Sequence, residues 1–214
     1  MRVPDSWSKA PLTLVLAIVT AALWALPALF QLDAWVVARG AFWPVRPAEF
    51  DLVPLWLTPL TATLIHAGPV HILFNLIVLL FCGRPAESVL GSPGMALLYV
   101  VGAYAAAATQ YAISPVAPMV GASGAVSAVI GAYAMLFGRN KVKVGSARLA
   151  LWLNALWLMV AWVVLQIFMG IAMAGPDFLF SGDGIQIAVG AHIGGFLAGV
   201  LLANPLLLFR YRKA

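Results

Sequence analysis

The sequence predicts an all-α polytopic membrane protein, a bundle of six transmembrane helices in which the second and fourth are short. Three observations carry this prediction. Hydrophobic residues make up 64% of the 214 residues and charged residues only 9%, against roughly 25% charged in a soluble domain. The apolar residues fall into six runs, 11–31, 69–83, 93–114, 123–137, 149–174 and 185–209. The cations are dense in alternate connections between those runs and sparse in the others. One membrane domain over residues 1–214 is therefore expected, with no separate soluble domain.

The first run follows Arg2 and Lys9. A signal peptide has an apolar core of about 7–15 residues and a small-residue cleavage site. This run is longer and lacks such a site, so it reads as a retained helix. The connection 32–58 is long and carries Trp35, Phe42, Trp43, Phe50 and Trp56. Aromatic rings next to a span favour the headgroup level, and this first loop is expected to lie in the interface.

The second run opens at Gly68-Pro69, and proline suits a first helical turn. Pro85 is expected just beyond its end. Fifteen residues at about 1.5 Å each cover about 22 Å, short of a hydrocarbon core of about 30 Å. The fourth run, 123–137, is equally short. It follows Pro115-Val116-Ala117-Pro118-Met119-Val120, apolar but broken by prolines. That stretch is expected to enter the membrane as irregular chain, which is tolerated only when buried in protein or lining a watery cavity. Such a cavity would bring water to Ser123. The first, third, fifth and sixth runs meet the spanning length of about 20 residues.

A formal charge of +5 is compatible with nucleic-acid binding, but the placement of the cations argues against it. Arg2, Lys9, Arg84, Arg139, Lys141, Lys143, Arg148, Arg210, Arg212 and Lys213 all fall on one side of a six-span arrangement. Arg39 and Arg46, in the first loop, fall on the other. The positive-inside rule then places both termini in the cytoplasm and the loop holding Asp177 and Asp183 outside. The compact topology suits a bacterial inner (plasma) membrane. Cys82 is the sole cysteine, which excludes an internal disulfide and any cysteine-based metal site.

Ionisable and nucleophilic residues inside spans carry the functional signal, because hydrocarbon penalises unpaired polar groups. Ser123 lies in Gly121-Ala122-Ser123-Gly124, at the start of the fourth run. It reads either as an N-cap or as a nucleophile whose neighbouring free helix N–H groups stabilise an oxyanion. His192 lies within the sixth run among Gly190, Gly194, Gly195 and Gly199. It reads either as a structural hydrogen-bonding residue or as the base. Those glycines form two small-xxx-small pairs, which let a helix press on a neighbour. The fourth run offers a matching surface of Gly124, Ala128, Gly131 and Ala132. His71 and Asn75, four apart, share a helix face and read as a polar clasp or as oxyanion donors. Helices two, four and six run in the same direction, so these four residues share the outer half of the bilayer. His66 is expected to order the first loop, and Glu87 to cap or tie helices at the cytoplasmic end. Metal is disfavoured: zinc catalysis typically takes three protein ligands, and no H-E-x-x-H pattern is present.

Together these residues resemble the rhomboid family of intramembrane serine proteases. The resemblance lies in His66 with His71-Ile72-Leu73-Phe74-Asn75, Glu87 followed by Gly91, Gly121-Ala122-Ser123-Gly124, and Ala191-His192-Ile193-Gly194-Gly195 with Gly199. It covers nearly all of the chain, in the family's order. It implies a six-helix core and a Ser–His dyad without a third acid, with Ser123 as nucleophile and His192 as general base and acid. It implies an oxyanion hole from the Ser123 N–H, His71 and Asn75. Gly195 and Gly199 would pack the sixth helix on the fourth, and the fifth loop and helix would gate substrate entry. No cofactor is implied. The partners would be transmembrane-helix protein substrates and the lipid bilayer, with no nucleic acid; the oligomeric state is not set.

Two departures stand out. Many rhomboids carry Trp-Arg in the first loop where this chain has Trp56-Leu57. Many place an aromatic ring beneath the histidine, four residues after the serine, where this chain has Ser127. Anchoring of the loop and support of His192 are thereby left to other residues or to weaker contacts. The expectation is an intramembrane serine endopeptidase. Its rivals are a non-catalytic rhomboid-like protein that binds client transmembrane helices, and a small transporter. The membrane acids and inverted repeats common in transporters are not evident in this sequence.

Overall fold

The computed structural model describes residues 7–45, 52–116, 118–138, 144–174 and 188–212. These residues form seven α-helices: α1 (Pro11–Leu29), α2 (Asp33–Gly40), α3 (Thr58–Thr61), α4 (Pro69–Ile113), α5 (Ser123–Phe137), α6 (Ala147–Ala174) and α7 (Val189–Tyr211). Short 3-10 turns at Trp7–Lys9, Leu55–Leu57 and Ala62–Leu64 join or precede them. Among the described residues, four helices are long and apolar enough to cross a membrane: α1, α4, Ala147–Phe168 of α6, and α7. Arg46, Phe50, Arg139, Lys141, Lys143, Asp177, Asp183 and residues 185–187 of the expected sixth run lie outside the described residues.

Helix α4 is two limbs that meet at Gly91, whose φ of 74° and ψ of 163° interrupt the helix. The second expected run therefore does not stop at residue 83. It continues through Arg84, Pro85 and Glu87 to Leu90. A proline inside a helix forfeits one i→i−4 hydrogen bond, but Ala86, Glu87, Val89 and Leu90 beyond it are all buried. That burial outweighs one lost bond. The first limb is then 22 residues long, about 33 Å at 1.5 Å per residue, which is enough for a full span. The fourth run keeps its expected bounds, and α5 remains 15 residues long.

Glu87 explains why the limb continues. Its carboxylate is fully buried and sits at the start of α1. It accepts from the N–H of Leu12 at 2.9 Å, the N–H of Thr13 at 2.7 Å and the Thr13 hydroxyl at 2.6 Å. The Ser92 hydroxyl, just past the kink, donates to it at 2.6 Å. First-turn N–H groups lack intrahelical partners, and a carboxylate there also opposes the helix dipole favourably. On the first limb, next to Glu87, the Ser88 carbonyl accepts from Nη1 of Arg210 at 2.8 Å. Glu87 thus joins the start of α1 to both limbs of α4.

Helix α5 forms the centre of the bundle, with residues 123–132 all buried. Helix α7 lies against it with almost no side chain between. A Cβ on Gly195 would run into the carbonyl of Gly124, one on Gly199 into the carbonyl of Ala128, and one on Gly131 into the carbonyl of Phe196. The other small pair on α7 faces a different neighbour. Gly194 abuts Thr109 on the second limb of α4, and the Thr109 hydroxyl donates to the Gly190 carbonyl at 2.8 Å.

Among the described residues, the first loop is held largely by hydrogen bonds to backbone carbonyls. Phe42 and Met119 exchange hydrogen bonds at 3.1 and 2.8 Å. The Gly121 N–H donates to the Ala62 carbonyl at 2.9 Å, and the Trp43 indole N–H donates to the Val116 carbonyl at 3.0 Å. The Tyr104 hydroxyl donates to the Trp56 carbonyl at 2.8 Å. These bonds also hold the proline-broken stretch before α5, in which Pro115, Val116 and Pro118 are exposed and Met119 is buried. Irregular backbone survives there because the loop supplies its partners.

Candidate active site

Ser123 is the first residue of α5, and Ala122 holds the N-cap position. Its side chain makes no capping bond. Instead Ser123 Oγ lies 2.8 Å from Nε2 of His192. Both residues are buried, 6% and 3% exposed. The approach depends on missing side chains: His192 is in the first turn of α7, and Gly195 and Gly199 bring that helix onto the α5 backbone.

The ring of His192 is held from α6. Nε2 of Gln166 lies 3.2 Å from His192 Nε2. The Trp162 indole meets the imidazole edge-on, with centroids 6.1 Å apart and planes inclined at 69°. The Trp162 N–H donates to Ser127 Oγ at 2.8 Å, and the Ser127 hydroxyl donates to the Ser123 carbonyl at 2.6 Å. Nδ1 of His192 is buried and has no partner among the described residues. Ser127 therefore does not leave the histidine unsupported. It receives the indole that stands where α6 meets the ring.

His71 lies against Gly121, two residues before the serine. A Cβ at Gly121 would come within 2.7 Å of His71 Cε1 and 2.8 Å of Nε2, and the φ of 108° at this glycine also suits no other residue. The Ala67 N–H points to Nδ1 of His71 at 3.3 Å. A neutral ring that accepts at Nδ1 carries its proton on Nε2, facing the turn that precedes Ser123. Asn75, one turn further along α4, is 1% exposed. Its amide donates to the His71 carbonyl at 2.9 Å, and its Oδ1 has no partner among the described residues.

His66 lies in the connection before α4. Its ring meets that of His71 edge-on at 4.9 Å, and its Nε2 accepts from the Ala122 N–H at 3.3 Å. Burial, with a smaller effect of His71, pushes its pKa down to about 3, which keeps the ring neutral. His66 thus links the first loop to the serine turn. Glu87 is not part of this cluster, since its partners are on α1 and at the kink. Among the described residues, no group of three His, Cys, Asp or Glu side chains is placed to hold a metal ion.

Trp162 and Gln166 carry little functional signal in the sequence. The available signal was an amide in the middle of an apolar span, since Arg148, Asn154 and Gln166 are the strongly polar residues of α6. Buried polar groups at that depth need partners, but nothing in the local pattern names His192 as the partner.

The rhomboid domain family model matches residues 55–209, well over half of the chain. The chain belongs to the rhomboid family. Rhomboid protease GlpG of Pectobacterium atrosepticum is 30% identical over 193 residues, which are 90% of this chain and 62% of that protein. Rhomboid-related protein 2 of Mus musculus is 31% identical over 137 residues, 64% of this chain and 43% of its own length. Rhomboid protease GluP of Bacillus subtilis is 28% identical over 152 residues, 70% of this chain and 27% of its own length. This rhomboid spans about half the length of the curated relatives it matches. Its family and its apolar helices make it a multi-pass membrane protein.

Proposed function

We propose that this rhomboid is an intramembrane serine endopeptidase that cleaves transmembrane or juxtamembrane segments of membrane proteins. The observation that carries the reading is the 2.8 Å separation of Ser123 Oγ and His192 Nε2, buried between two helices. Ser123 attacks the peptide carbonyl while its proton passes to His192 Nε2. The negative charge that develops on the carbonyl oxygen is met by the N–H of Ser123, the Nε2–H of His71 and the amide of Asn75. His192 returns the proton to the departing amine. Water then attacks the acyl-enzyme with His192 again as base, which releases the second product and restores the serine.

The arrangement of passes belongs to the same proposal. With the limbs of α4 counted separately, α1, α4, α5, α6 and α7 supply six passes through one membrane domain. The cation distribution places both termini in the cytoplasm, and a plasma membrane is the setting. The first limb of α4, α5 and α7 then begin on the outer side, so the site opens outward, where water is available. A substrate helix must unwind locally to present its carbonyl, so helix-breaking residues near the cut are expected.

The test is labelling by a fluorophosphonate probe and cleavage of a fluorescent transmembrane peptide by purified protein in liposomes. Wild type labels and cleaves. Ser123→Ala does neither, and His192→Ala loses about 10²-fold or more, the usual contribution of a general base. A folded wild type that binds the peptide but neither labels nor cleaves it overturns the proposal in favour of a helix-binding rhomboid.

A further inference from the structure

A base for Ser123 needs a bare Nε2 on His192, with the ring proton on Nδ1. A neutral imidazole has one donor and one acceptor nitrogen, and its surroundings decide which is which. In a Ser–His–Asp triad the acid beside Nδ1 makes that choice. Here Nδ1 of His192 is buried and partnerless among the described residues. No described residue makes that choice from the Nδ1 side. Ser123 does not make it either, because a hydroxyl both donates and accepts.

The amide nitrogen of Gln166 is different. It only donates, it is buried, and it lies 3.2 Å from Nε2 of His192. A protonated Nε2 would set two N–H groups against each other, so this contact selects the tautomer with Nε2 bare. One turn earlier on the same face of α6, Trp162 lies edge-on to the imidazole. Its own N–H is fixed by Ser127, whose hydroxyl is fixed in turn by the Ser123 carbonyl. The indole therefore keeps a set position relative to the serine itself. Residues 162 and 166 are four apart, the spacing that aligns side chains on one face of a helix.

We infer that Gln166 and Trp162 are positioning residues that set the tautomer and ring plane of His192 from α6. The inference rests on the reading of Ser123 and His192 as the reacting pair. It goes beyond that reading in assigning the selection of the base form to an amide on a neighbouring helix. It also gives Ser127 a task, since the hydroxyl at that position is the acceptor that orients the indole.

The test reads the tautomer directly. Nitrogen-15 NMR of full-length protein with ring-labelled histidine, at a pH where imidazole is neutral, separates bare from protonated ring nitrogens. The His192 signals are assigned by their loss in His192→Gln. The wild type is expected to show a bare Nε2 and a protonated Nδ1. Gln166→Met, close in size but without the donor, gives a mixture of tautomers. Gln166→Glu offers an acceptor and moves the proton towards Nε2. Both slow fluorophosphonate labelling at saturating probe by about tenfold or more, with the half-saturating concentration unchanged. Trp162→Phe and Ser127→Ala each cost less and are not additive, because they remove two ends of one hydrogen bond.

A wild type with the proton on Nε2, or a folded Gln166→Met with wild-type tautomer and labelling rate, overturns the inference. A tautomer that follows residue 166 in a protein that never labels supports the inference and overturns the protease reading instead.

Discussion

A carboxylate with no exposure to solvent survives in this apolar bundle because every direction around it supplies a donor. Glu87 takes two backbone N–H groups and two hydroxyls from α1 and from the far side of the kink. Glu87→Ala leaves those donors buried without a partner, at about 1–3 kcal/mol for each group that cannot rearrange. The expected result is a thermal midpoint in detergent lowered by several degrees, with Glu87→Gln intermediate. Fluorophosphonate labelling of the protein that remains folded should be unchanged, because Glu87 touches nothing at the serine. Asn75 should behave in the opposite way. Asn75→Ala removes a proposed oxyanion donor and should lower kcat by about 10²-fold or more, with little change in the thermal midpoint. A kcat that stays at the wild-type value would remove Asn75 from the oxyanion site.

Packing of α7 on α5 is a property of whole helices, and glycine controls it. Gly199→Ala drives a methyl group into the Ala128 carbonyl, which is backbone and cannot rotate away. Overpacking of this kind costs about 1–3 kcal/mol. It also tilts α7, two turns below His192, so labelling of Ser123 should fall along with stability. Gly145→Ala is the control, because nothing lies within 4 Å of the added methyl. At the kink, Gly91→Ala meets no steric block, since the nearest atoms belong to Arg210 at 3.5 Å or more. Its cost is conformational, about 1–3 kcal/mol for a backbone region nearly confined to glycine, and it should appear as a lowered midpoint. Elements were legible in the sequence to the degree that their ends are written locally. Gly68-Pro69 and Ser123 mark true starts. The end of the first α4 limb was misplaced because Arg84-Pro85 resembles a boundary. What carries the helix past it is Glu87 reaching α1, a contact about 75 residues away in the chain. The facing of Ser123 and His192 was legible because glycine surfaces announce close helix contact. The approach of Trp162 and Gln166 to His192 was not, since an amide in an apolar helix names no partner.

At the scale of the molecule, the apolar surface states that the bundle lives in a membrane, but only the cations state which way it faces. Exposed side chains such as Leu14, Ile18, Phe81, Trp157 and Leu201 would meet lipid. The mutual placement of helices is the same for either orientation. In the proposed six-pass arrangement, ten of the twelve cations fall on the side of both termini, and the first loop carries the other two. This makes a prediction that separates topology from chemistry. On a Cys82→Ala background, whose native thiol is buried, single cysteines replace Leu32 after α1, Gly145 before α6 and Arg212 after α7. All three positions are exposed. In intact spheroplasts, a membrane-impermeant maleimide should react at position 32 alone. Positions 145 and 212 should react only after permeabilisation. The inverted pattern would place the openings of α5 and α7, and the water that reaches Ser123, on the cytoplasmic side. Reaction of 145 and 212 on opposite sides would break the six-pass reading itself, because α6 and α7 together must cross twice to return the chain to the side it left.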